Sequence, residues 1–512
     1  MNRLFLLISF MIINFSNIYS QPQFEWVRNY PVQGKSLALD TAGNLILVGI
    51  KDSYIFIVKY NPSGQIIWYR DTIINPTPYG IFDAVDKFGN IYVTLQANSA
   101  RLYLLKYDSS GNQKWNNNDF SEYNQCYGIA LDTIGNIFVT CDSSPNARDE
   151  YLTIKFNSQG QVVWYRRYGG NYGSRIPHAI TVDNSGNVYI TGESNIDSIK
   201  HYDFASIKYN SSGTQQWISF YNGRLSGNDF ALAICADNYG YCYVTGSSNY
   251  SVNRTTGCTI KYNYTGDSVW TKLFPTDTAG ELFTRWVNFI FTDSPGNIYL
   301  AGNKSVAGSI YGRAITAMKY DKNGNMKWYK IDSAATFSQS ATLDNKSNFY
   351  IIGDGRYYMK GVGYDSLGNK IWDFINPNHL YGATKILCNI NGDLFVLSSS
   401  LDTAMLFKFS KPTVVRNINS SILIKDYKLV QNYPNPFNQS SIIKFQCPVR
   451  SDVILKIYDI TGREVQTLVN EKLKSGIYEV KFEGRNLSSG IYFYSLFING
   501  IKLDTKKLII LK

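Results

Sequence analysis

The stretch that decides the fold reads AITVDNSGNVYITGES at residues 179–194 and, after a variable segment, FASIKYNSSGTQQWISFY at residues 204–221. Apolar and polar residues alternate in four short runs, the period of half-buried β-strands. These runs lie at roughly 178–183, 187–192, 204–209 and 214–220. Turn-forming residues separate the first run from the second and the third from the fourth. The stretch therefore predicts a four-stranded antiparallel unit.

This unit recurs with a period of about 45 to 55 residues, the range of propeller blades. An Asp-x-x-Gly-Asn turn begins at Asp40, Asp86, Asp132, Asp183 and Asp293, with altered copies at Asp237, Asp344 and Asn389. A second signature, Tyr or Phe followed by Asn/Asp-x-x-Gly and then Trp, contains Trp68, Trp115, Trp164, Trp217, Trp270, Trp328 and Trp372. A four-stranded meander cannot bury both of its faces alone, so the units must stack. Stacking around an axis predicts an all-β fold, a β-propeller over residues 22–411.

The two ends of the repeat region predict the number of blades. The last unit contains NGDLFVLS (391–398) and MLFKFS (405–410) but stops before its Trp strand. The sequence FEWVRNY (24–30) is an orphan strand that contains Trp26. Pairing this strand with the last unit completes an eighth blade and removes two exposed sheet edges. Seven blades remain the alternative if the weak unit near Cys388 does not form a blade.

With these motifs, the units resemble the SBBP type of bacterial propeller repeat and, more distantly, quinoprotein-like propellers. The resemblance is specific for architecture and says little about activity, because this fold hosts many unrelated functions. A quinone cofactor would need vicinal cysteines or a calcium cluster, and the sequence contains neither. We therefore predict no cofactor.

The N-terminus reads as a secretory signal peptide over residues 1–20. Arg3 precedes a mostly apolar run from Leu4 to Phe15, and small polar residues lead to a cleavage site after Ser20. The apolar run is too short to span a bilayer, and no later run of about 18 apolar residues occurs. We predict no transmembrane segment after cleavage, with a retained anchor as the alternative.

A linker at residues 412–427 separates the repeats from a C-terminal module at 428–512, whose alternating short strands predict an immunoglobulin-like β-sandwich. The module opens with the motif Asn432, Tyr433, Pro434, Asn435, Pro436, Phe437 and Asn438. LKIYDITGREV (455–465, with Gly462), LSSGIYF (487–493, with Gly490) and a basic end follow. These four motifs resemble type IX secretion C-terminal sorting domains. The resemblance implies passage through the periplasm and outer membrane by the type IX machinery, to the cell surface or the medium. An accessory binding domain is the alternative.

Charge and cysteine content narrow the other classes of function. The net charge is +11, but residues 428–512 hold 13 Lys and Arg against 7 Asp and Glu, so the repeat region is only mildly basic and nucleic-acid binding is not expected. Cys126 and Cys141, like Cys235 and Cys242, flank a hairpin turn whose left-handed Gly predicts side chains on opposite faces, so we expect no disulfide. Three His and no CxxC argue against a metal site. We attribute the Asp-x-x-Gly-Asn motif to turn chemistry rather than calcium.

The sequence contains no clear catalytic motif, so it does not decide whether the protein is an enzyme. A secreted or surface binding module is the main prediction, with a glycan or a protein as its extracellular ligand. An extracellular hydrolase or lyase acting on polysaccharide or peptide, with its site in the propeller funnel, is the alternative. It would use carboxylates from different blades, with candidates Glu193, Asp197, Asp203, Asp229 and Asp354.

The two signature turns of each unit are short, and antiparallel strand order puts both on one face of the disc. The other face receives the connections that vary in length and chemistry, where binding residues are usually found. Arg and Tyr often carry binding energy. The predicted ligand contacts are Tyr172, Arg175, Arg224, Asp229, Arg313, Arg356 and Tyr357.

Overall fold

The computed structural model describes residues 17–19, 22, 24–74, 78–97, 101–118, 125–144, 149–169, 173–195, 201–223, 227–251, 254–274, 284–305, 313–332, 336–355, 358–377, 382–410, 414–419, 424–484 and 487–512. The chain divides into two compact units, one of residues Phe24–Phe409 and one of residues Ser410–Lys512 with Met1–Gln23. All regular structure within the described ranges is β. The predicted signal peptide lies outside the described residues except for β1 (Asn17–Tyr19).

The strands of the first unit are β2 (Phe24–Tyr30), β3 (Gln33–Leu39), β4 (Leu45–Lys51), β5 (Tyr54–Tyr60), β6 (Ile66–Ile73), β7 (Pro78–Val85), β8 (Ile91–Ala97), β9 (Arg101–Tyr107), β10 (Gln113–Asn117), β11 (Gln125–Leu131), β12 (Ile137–Ser143), β13 (Glu150–Phe156), β14 (Val162–Tyr168), β15 (Arg175–Val182), β16 (Val188–Ser194), β17 (Asp203–Tyr209), β18 (Gln215–Tyr221), β19 (Phe230–Ala236), β20 (Cys242–Ser251), β21 (Arg254–Tyr262), β22 (Ser268–Leu273), β23 (Thr284–Thr292), β24 (Ile298–Ser305), β25 (Arg313–Tyr320), β26 (Met326–Asp332), β27 (Thr336–Leu343), β28 (Phe349–Gly355), β29 (Met359–Tyr364), β30 (Lys370–Asn376), β31 (Gly382–Cys388), β32 (Leu394–Ser399) and β33 (Ala404–Phe409).

These strands form eight four-stranded antiparallel blades, which confirms the predicted propeller and the larger of the two blade counts. Blades 1 to 7 are consecutive meanders from β3–β6 to β27–β30, and blade 8 has the order β31-β32-β33-β2. The predicted closure is also confirmed, since Val27 pairs with Phe407 and Arg28 with Leu406. The first strand of each blade contacts the first strand of the next, so eight inner strands surround the axis.

The Asp-x-x-Gly-Asn motif closes each hairpin between the first and second strands in the predicted way. In blade 1 the Asp40 N–H donates to the Asn44 carbonyl (3.0 Å), and Gly43 between them has φ of 80°. The Asp40 carboxylate accepts from the Ala42 and Asn44 N–H groups at 3.0 and 2.8 Å. The turn therefore uses the oxygens of its own Asp, as Asx turns do.

The second signature docks most blades on their neighbours. In blade 1, Trp68 Nε1 and Lys59 Nζ both donate to the Ser109 carbonyl in the β9–β10 turn of blade 2, at 3.1 and 3.0 Å. Gly111 of that turn has φ of 82°, and a Cβ there would lie 2.8 Å from the Trp68 ring. The same pair of bonds joins Trp115 and Lys106 to Ser158, Trp164 and Lys155 to Ser211, Trp270 and Lys261 to Lys322, and Trp328 and Lys319 to Ser366.

The junction between blades 7 and 8 is built differently. The fourth strand of blade 8 is β2, from the other end of the repeat region, so blade 8 has no turn between third and fourth strands. Blade 7 has Gly363, paired with Trp372, at the position of the docking lysine. Trp372 is buried and packs edge-on against Phe409 with ring centroids 5.3 Å apart. The repeat thus changes at the one junction that lacks a turn to dock on.

One cysteine prediction is wrong. Cys126 and Cys141 form a disulfide in blade 3. The turn itself has the predicted register, with Leu131 opposite Ile137, but a bulge at Tyr127 shifts the pairing by one residue and brings Cys126 opposite Cys141. In blade 5 the bulge at Leu232 lies before Cys235, so Cys235 stays opposite Tyr243 and Cys242 opposite Ala236. That pair is not bonded.

The second unit contains β34 (Val414–Asn419), β35 (Lys428–Leu429), β36 (Ser440–Cys447), β37 (Ser451–Tyr458), β38 (Glu464–Leu473), β39 (Gly476–Glu483), β40 (Gly490–Ile498) and β41 (Ile501–Ile510). They form two sheets, β1-β34-β39-β36-β35 and β38-β37-β40-β41, around one apolar core, as in the predicted immunoglobulin-like sandwich. Strand β34 lies inside the stretch predicted as a linker and pairs with β39.

Candidate functional site

The propeller has two faces of different chemistry. We call the end of the blades that carries the two signature turns the turn face. The opposite end, where the chain enters each inner strand, is the loop face. On the turn face, the Asp side chains and most of the docking tryptophans and lysines bond to their own or neighbouring turns. Groups that already have partners are poor candidates for a ligand. The loop face and the axis are therefore the better candidates for a binding site.

Each inner strand contains a one-residue β-bulge at the same position, near its loop-face end. The register shifts between Gly34 and Ser36 in blade 1, and equivalent shifts occur in all seven other blades. The bulged residues, in blade order, are Lys35, Gly80, Tyr127, His178, Leu232, Asn288, Gln339 and Thr384. We call these eight residues the bulge ring. Bulges are frequent next to active sites because they redirect a side chain.

The bulge ring does not repeat, although the rest of the blade does. Seven of its members, all but Gly80, have described side chains, and each of these is partly or well exposed, whereas the preceding residue of the same strand is buried. Side chains of neighbouring blades meet in the ring, since Tyr127 and His178 have ring centroids 5.8 Å apart. Eight different residues thus surround the loop-face end of the axis.

Blades 3 and 4 form an aromatic and acidic sector of this ring. His178 Nε2 lies 3.4 Å from Glu193 Oε2, on the neighbouring strand of its blade. Burial, and then the charges of Asp142, Glu193 and Asp149, raise the pKa of Tyr127. The Asp149 carboxylate accepts from Ser144 and Ser174 hydroxyls, and Asp142 accepts from the Gln125 N–H at 2.6 Å. These two Asp side chains stabilise the rim around Tyr127.

Blades 8, 1 and 2 form a basic sector. Ser36, which follows the bulge of blade 1, donates a hydrogen bond to Asp83 of blade 2. Burial raises the pKa of Asp83, and Ser36 and the charge of Lys385 in blade 8 offset part of that effect. The charge of Lys385 acts on Asp83 although blade 1 lies between their blades. Burial also lowers the pKa of Lys35.

The predicted ligand contacts divide into two groups. Tyr172, Arg224, Arg356 and Tyr357 lie outside the described residues. Arg175, Asp229 and Arg313 are described and all belong to the loop-face half of their blades.

Arg175 is buried, with its guanidinium over the Tyr168 ring at 5.4 Å, and Arg313 stacks on Phe337 at 4.0 Å. Asp229 is fully buried and accepts from the Gly223 and Asn249 N–H groups at 2.7 and 3.0 Å. Burial raises its pKa. As ligand contacts these three residues stay predictions.

The carboxylates proposed for hydrolysis are also engaged in local structure. Glu193 faces His178, and Asp354 accepts from the Ala383 N–H at the start of blade 8. Burial raises the pKa of Asp354. Asp197 lies outside the described residues. Within the described ranges no three His, Cys, Asp or Glu side chains gather as a metal site would require.

Sequence reasoning missed the bulge ring. Its signal in the sequence is one extra residue within the strand. In RIPHAITV (175–182), His178 is that residue, because Pro177 and Ala179 on either side of it pair with consecutive residues of the next strand. A single sequence gives no reason to choose such an extra residue over a strand that ends one residue later. The eightfold repetition of the extra residue, seen only in the register of the pairs, makes the signal clear.

The sorting motif of the second unit fastens the chain before β36 to the last strand. Asn432 is buried; its N–H donates to Tyr494 Oη (2.7 Å) and its side-chain amide to Ser441 Oγ (2.8 Å). The Asn435 side chain accepts from the Ile509 N–H and donates to the Lys507 carbonyl. Phe437 is buried against Phe482. Tyr433, Pro434, Pro436 and Asn438 are exposed. Gly462 has φ of 82° in a turn, and Gly490 begins β40.

The fold and this motif define a class, an eight-bladed β-propeller followed by an immunoglobulin-like sandwich. Residues 163–200 match the family "Beta-propeller repeat" (SBBP), and residues 431–511 match "Secretion system C-terminal sorting domain". Both predicted resemblances are thereby confirmed. The chain carries a type IX sorting domain, which indicates interaction with the secretion machinery and export to the outer cell surface or the medium. In the described part of the chain no helix is long and apolar enough to cross a membrane.

Solved structures support the fold only. "Structure of Dos1 propeller" has a TM-score of 0.51 and 10% identity and covers 77% of this chain and 95% of that chain. "Crystal structure of the Saccharomyces cerevisiae Sqt1" has a TM-score of 0.50 and 8% identity and covers 76% of this chain and 100% of that chain. No curated protein matches the sequence significantly.

Proposed function

We propose that this secreted propeller is a binding module that takes an extracellular glycan or protein at the loop-face end of its axis. The observation that supports the proposal most is the bulge ring. Eight blades of one repeat have eight different residues at one structural position, while the turn-face residues recur because they hold the blades together. Variation confined to one region of a rigid scaffold is typical of a binding site.

A glycan and protein array probed with the purified chain tests this proposal. Tyr127→Ala combined with His178→Ala removes the aromatic sector of the bulge ring, and Arg224→Ala combined with Arg356→Ala removes two predicted rim contacts. The control is Ser185→Ala, Ser212→Ala and Lys322→Ala on the turn face, where all three residues are exposed. We expect the loop-face variants to weaken binding by about tenfold or more, the effect of losing 1.4 kcal/mol.

Two results would contradict the proposal. Loss of binding only in the turn-face control would show that the ligand binds the turn face and not the loop face. Release of new reducing ends or peptide termini by the chain, abolished by Glu193→Gln or Asp354→Asn, would replace binding with the hydrolase alternative.

We also infer that residues 1–20 are a signal peptide and that residues 411–512 suffice to direct export. A reporter placed between a signal peptide and residues 411–512 should reach the surface or medium of a cell that has type IX secretion. The reporter with Asn432→Ala should stay in the periplasm. The control is Asn438→Ala, which changes an exposed residue of the same motif and should fold normally. A reporter that stays periplasmic while an authentic sorting domain is exported would contradict this inference.

A further inference from the structure

The basic sector contains two lysines outside the docking position: Lys35 is a member of the bulge ring, and Lys385 follows the bulge of blade 8. Five of the lysines at the docking position bond to a carbonyl of the next blade, as Lys59 does at 3.0 Å. Among the described residues, neither Lys35 nor Lys385 has a hydrogen bond or an ion pair. A partly buried ammonium group without a partner is costly, and the lowered pKa of Lys35 reflects that cost. These lysines are therefore available to an external anion.

Asp83, the carboxyl group on which the charge of Lys385 acts, is a poor counter-ion. Asp83 accepts from Ser36 through one oxygen, and its Oδ2 is buried without a partner among the described residues. Burial raises the pKa of Asp83, which favours its neutral form. Two lysines against one carboxyl group leave the sector with an excess of positive charge, which attracts anions.

The blades next to this sector supply neutral polar groups. Going round the ring from blade 6 to blade 1, the bulged residues are Asn288, Gln339, Thr384 and Lys35. Gln339 bonds to Asp354, while the side chains of Asn288 and Thr384 have no hydrogen bond among the described residues. An amide and a hydroxyl can each donate and accept, which suits a ligand rich in hydroxyl groups.

We propose that this arc of the bulge ring binds an acidic oligosaccharide, with a sugar carboxylate held by Lys35 and Lys385 and sugar hydroxyls held by Asn288 and Thr384. The inference rests on the proposed function and names its ligand class. Charge-assisted bonds from ammonium to carboxylate are about twice as strong as neutral ones. The carboxylate should therefore decide affinity, and the hydroxyl contacts should decide which sugar is preferred.

Calorimetric titration of the purified chain with tetragalacturonate, and with the same tetrasaccharide as its methyl ester, tests the inference. We expect the ester to bind at least about tenfold more weakly, since a charged hydrogen-bonding group is lost. Lys35→Gln and Lys385→Gln should each weaken tetragalacturonate binding by a similar factor, and affinity should fall with added salt. Lys346→Gln, which removes an exposed charge from the turn face, is the matched control and should leave affinity unchanged.

Three outcomes would overturn the inference while leaving the proposed function in place. The first is equal affinity for tetragalacturonate and its methyl ester, and the second is unchanged tetragalacturonate affinity in Lys35→Gln. The third is that the loop face binds a neutral glycan or a protein but does not bind tetragalacturonate. Tighter Lys35-dependent binding of an oligoglutamate peptide would replace the sugar by an acidic peptide. Lys35→Gln removes no hydrogen bond or ion pair within the described structure, so it should not lower the melting temperature of the chain. Failure of every array ligand to depend on the loop face would contradict the proposed function itself.

Discussion

The turn face and the loop-face end of the axis belong to the same eight blades but follow opposite rules. On the turn face Asp40, Lys59 and Trp68 have close counterparts in most blades, and their polar groups bond within the protein. At the bulge ring no residue type occurs twice. Repetition marks the contacts that hold blades together, and variation marks the surface that is left for a ligand.

Carboxyl groups show the same contrast electrostatically. Burial alone would raise the pKa of Asp40 on the turn face, but hydrogen bonds from Asn44 and Lys59 outweigh it and lower the pKa. At the axis and the loop face, burial prevails and raises the pKa of Asp83, Asp229 and Asp354. The cost of burial is fully compensated at Asp40 and only partly at the three carboxyl groups of the axis and the loop face. Incomplete compensation of this kind is common at functional sites.

The largest expected effect is the loss of stability when the strand that closes the ring is deleted. Deleting residues 22–30 removes β2, the Trp26 ring that lies over Gly64 and the Arg28 bond to the Gly64 carbonyl (2.8 Å). It also exposes the edge of β33. The loss should exceed the roughly 3 to 5 kcal/mol of a single large-to-small core change, with aggregation. Calorimetric melting and solubility measure it. The single substitution Trp26→Ala should have a smaller effect, and unchanged melting of the deletion would contradict ring closure.

The second prediction concerns the disulfide that fixes one bulge at the loop face. Cys126, directly before the Tyr127 bulge, is bonded to Cys141, 15 residues further along the chain. A crosslink that closes a loop of this length stabilises the folded protein by about 3 kcal/mol. Reductant should lower the melting temperature of the chain, and Cys126→Ala with Cys141→Ala should abolish that sensitivity. Cys235→Ala with Cys242→Ala is the control and should keep it. Titration of the denatured, unreduced chain should give five free thiols, and seven would refute the crosslink.

The disulfide also shows how far sequence reasoning reaches. The turn signatures specify hairpin register locally, so eight blades, their order and the closing strand follow from residues such as Asp183, Gly186 and Trp217. The bulge opposite Cys141 depends on how a whole inner strand fits between its neighbours around the axis. That fit is a tertiary effect, and the sequence near Cys126 does not state it. The bulge ring was missed for the same reason.

Contact residues on the loop face were harder to predict for a second reason. Choosing Arg175 and Asp229 by residue type assumed that polar side chains in variable segments face solvent. The structure instead buries both, because a long connection needs buried partners for its own backbone, as Asp229 provides for Gly223 and Asn249. Composition alone cannot separate a side chain that shapes a loop from one that reaches a ligand.

The third prediction isolates the docking of tryptophan on glycine. Gly213 and Gly240 have nearly the same positive φ, 82° and 83°, but a Cβ at Gly213 would lie 2.7 Å from the Trp164 ring, whereas nothing lies within 4 Å at Gly240. Both changes to Ala should cost about 1 to 2 kcal/mol for the left-handed backbone. Gly213→Ala should cost a further ~1 to 3 kcal/mol because the ring must move. Equal denaturation midpoints for the two variants would mean that docking contributes nothing.

The smallest expected effect is on the pH dependence of stability, whose sign should differ between a carboxyl group of the turn face and one of the loop face. The raised pKa of Asp229 means that the folded chain binds this proton more tightly, so its contribution to stability is present below the ordinary value of 3.8 and is lost as pH rises through the raised pKa. The lowered pKa of Asp40 gives the opposite sign, a contribution present above 3.8 and lost as pH falls through the lowered pKa. Urea unfolding of the parent chain, Asp229→Asn and Asp40→Asn across this range measures both. The parent chain should lose stability relative to Asp229→Asn as pH rises above 3.8, and relative to Asp40→Asn as pH falls below it. Slopes of the same sign would show that burial does not prevail at Asp229, and the electrostatic contrast between the faces would then fail.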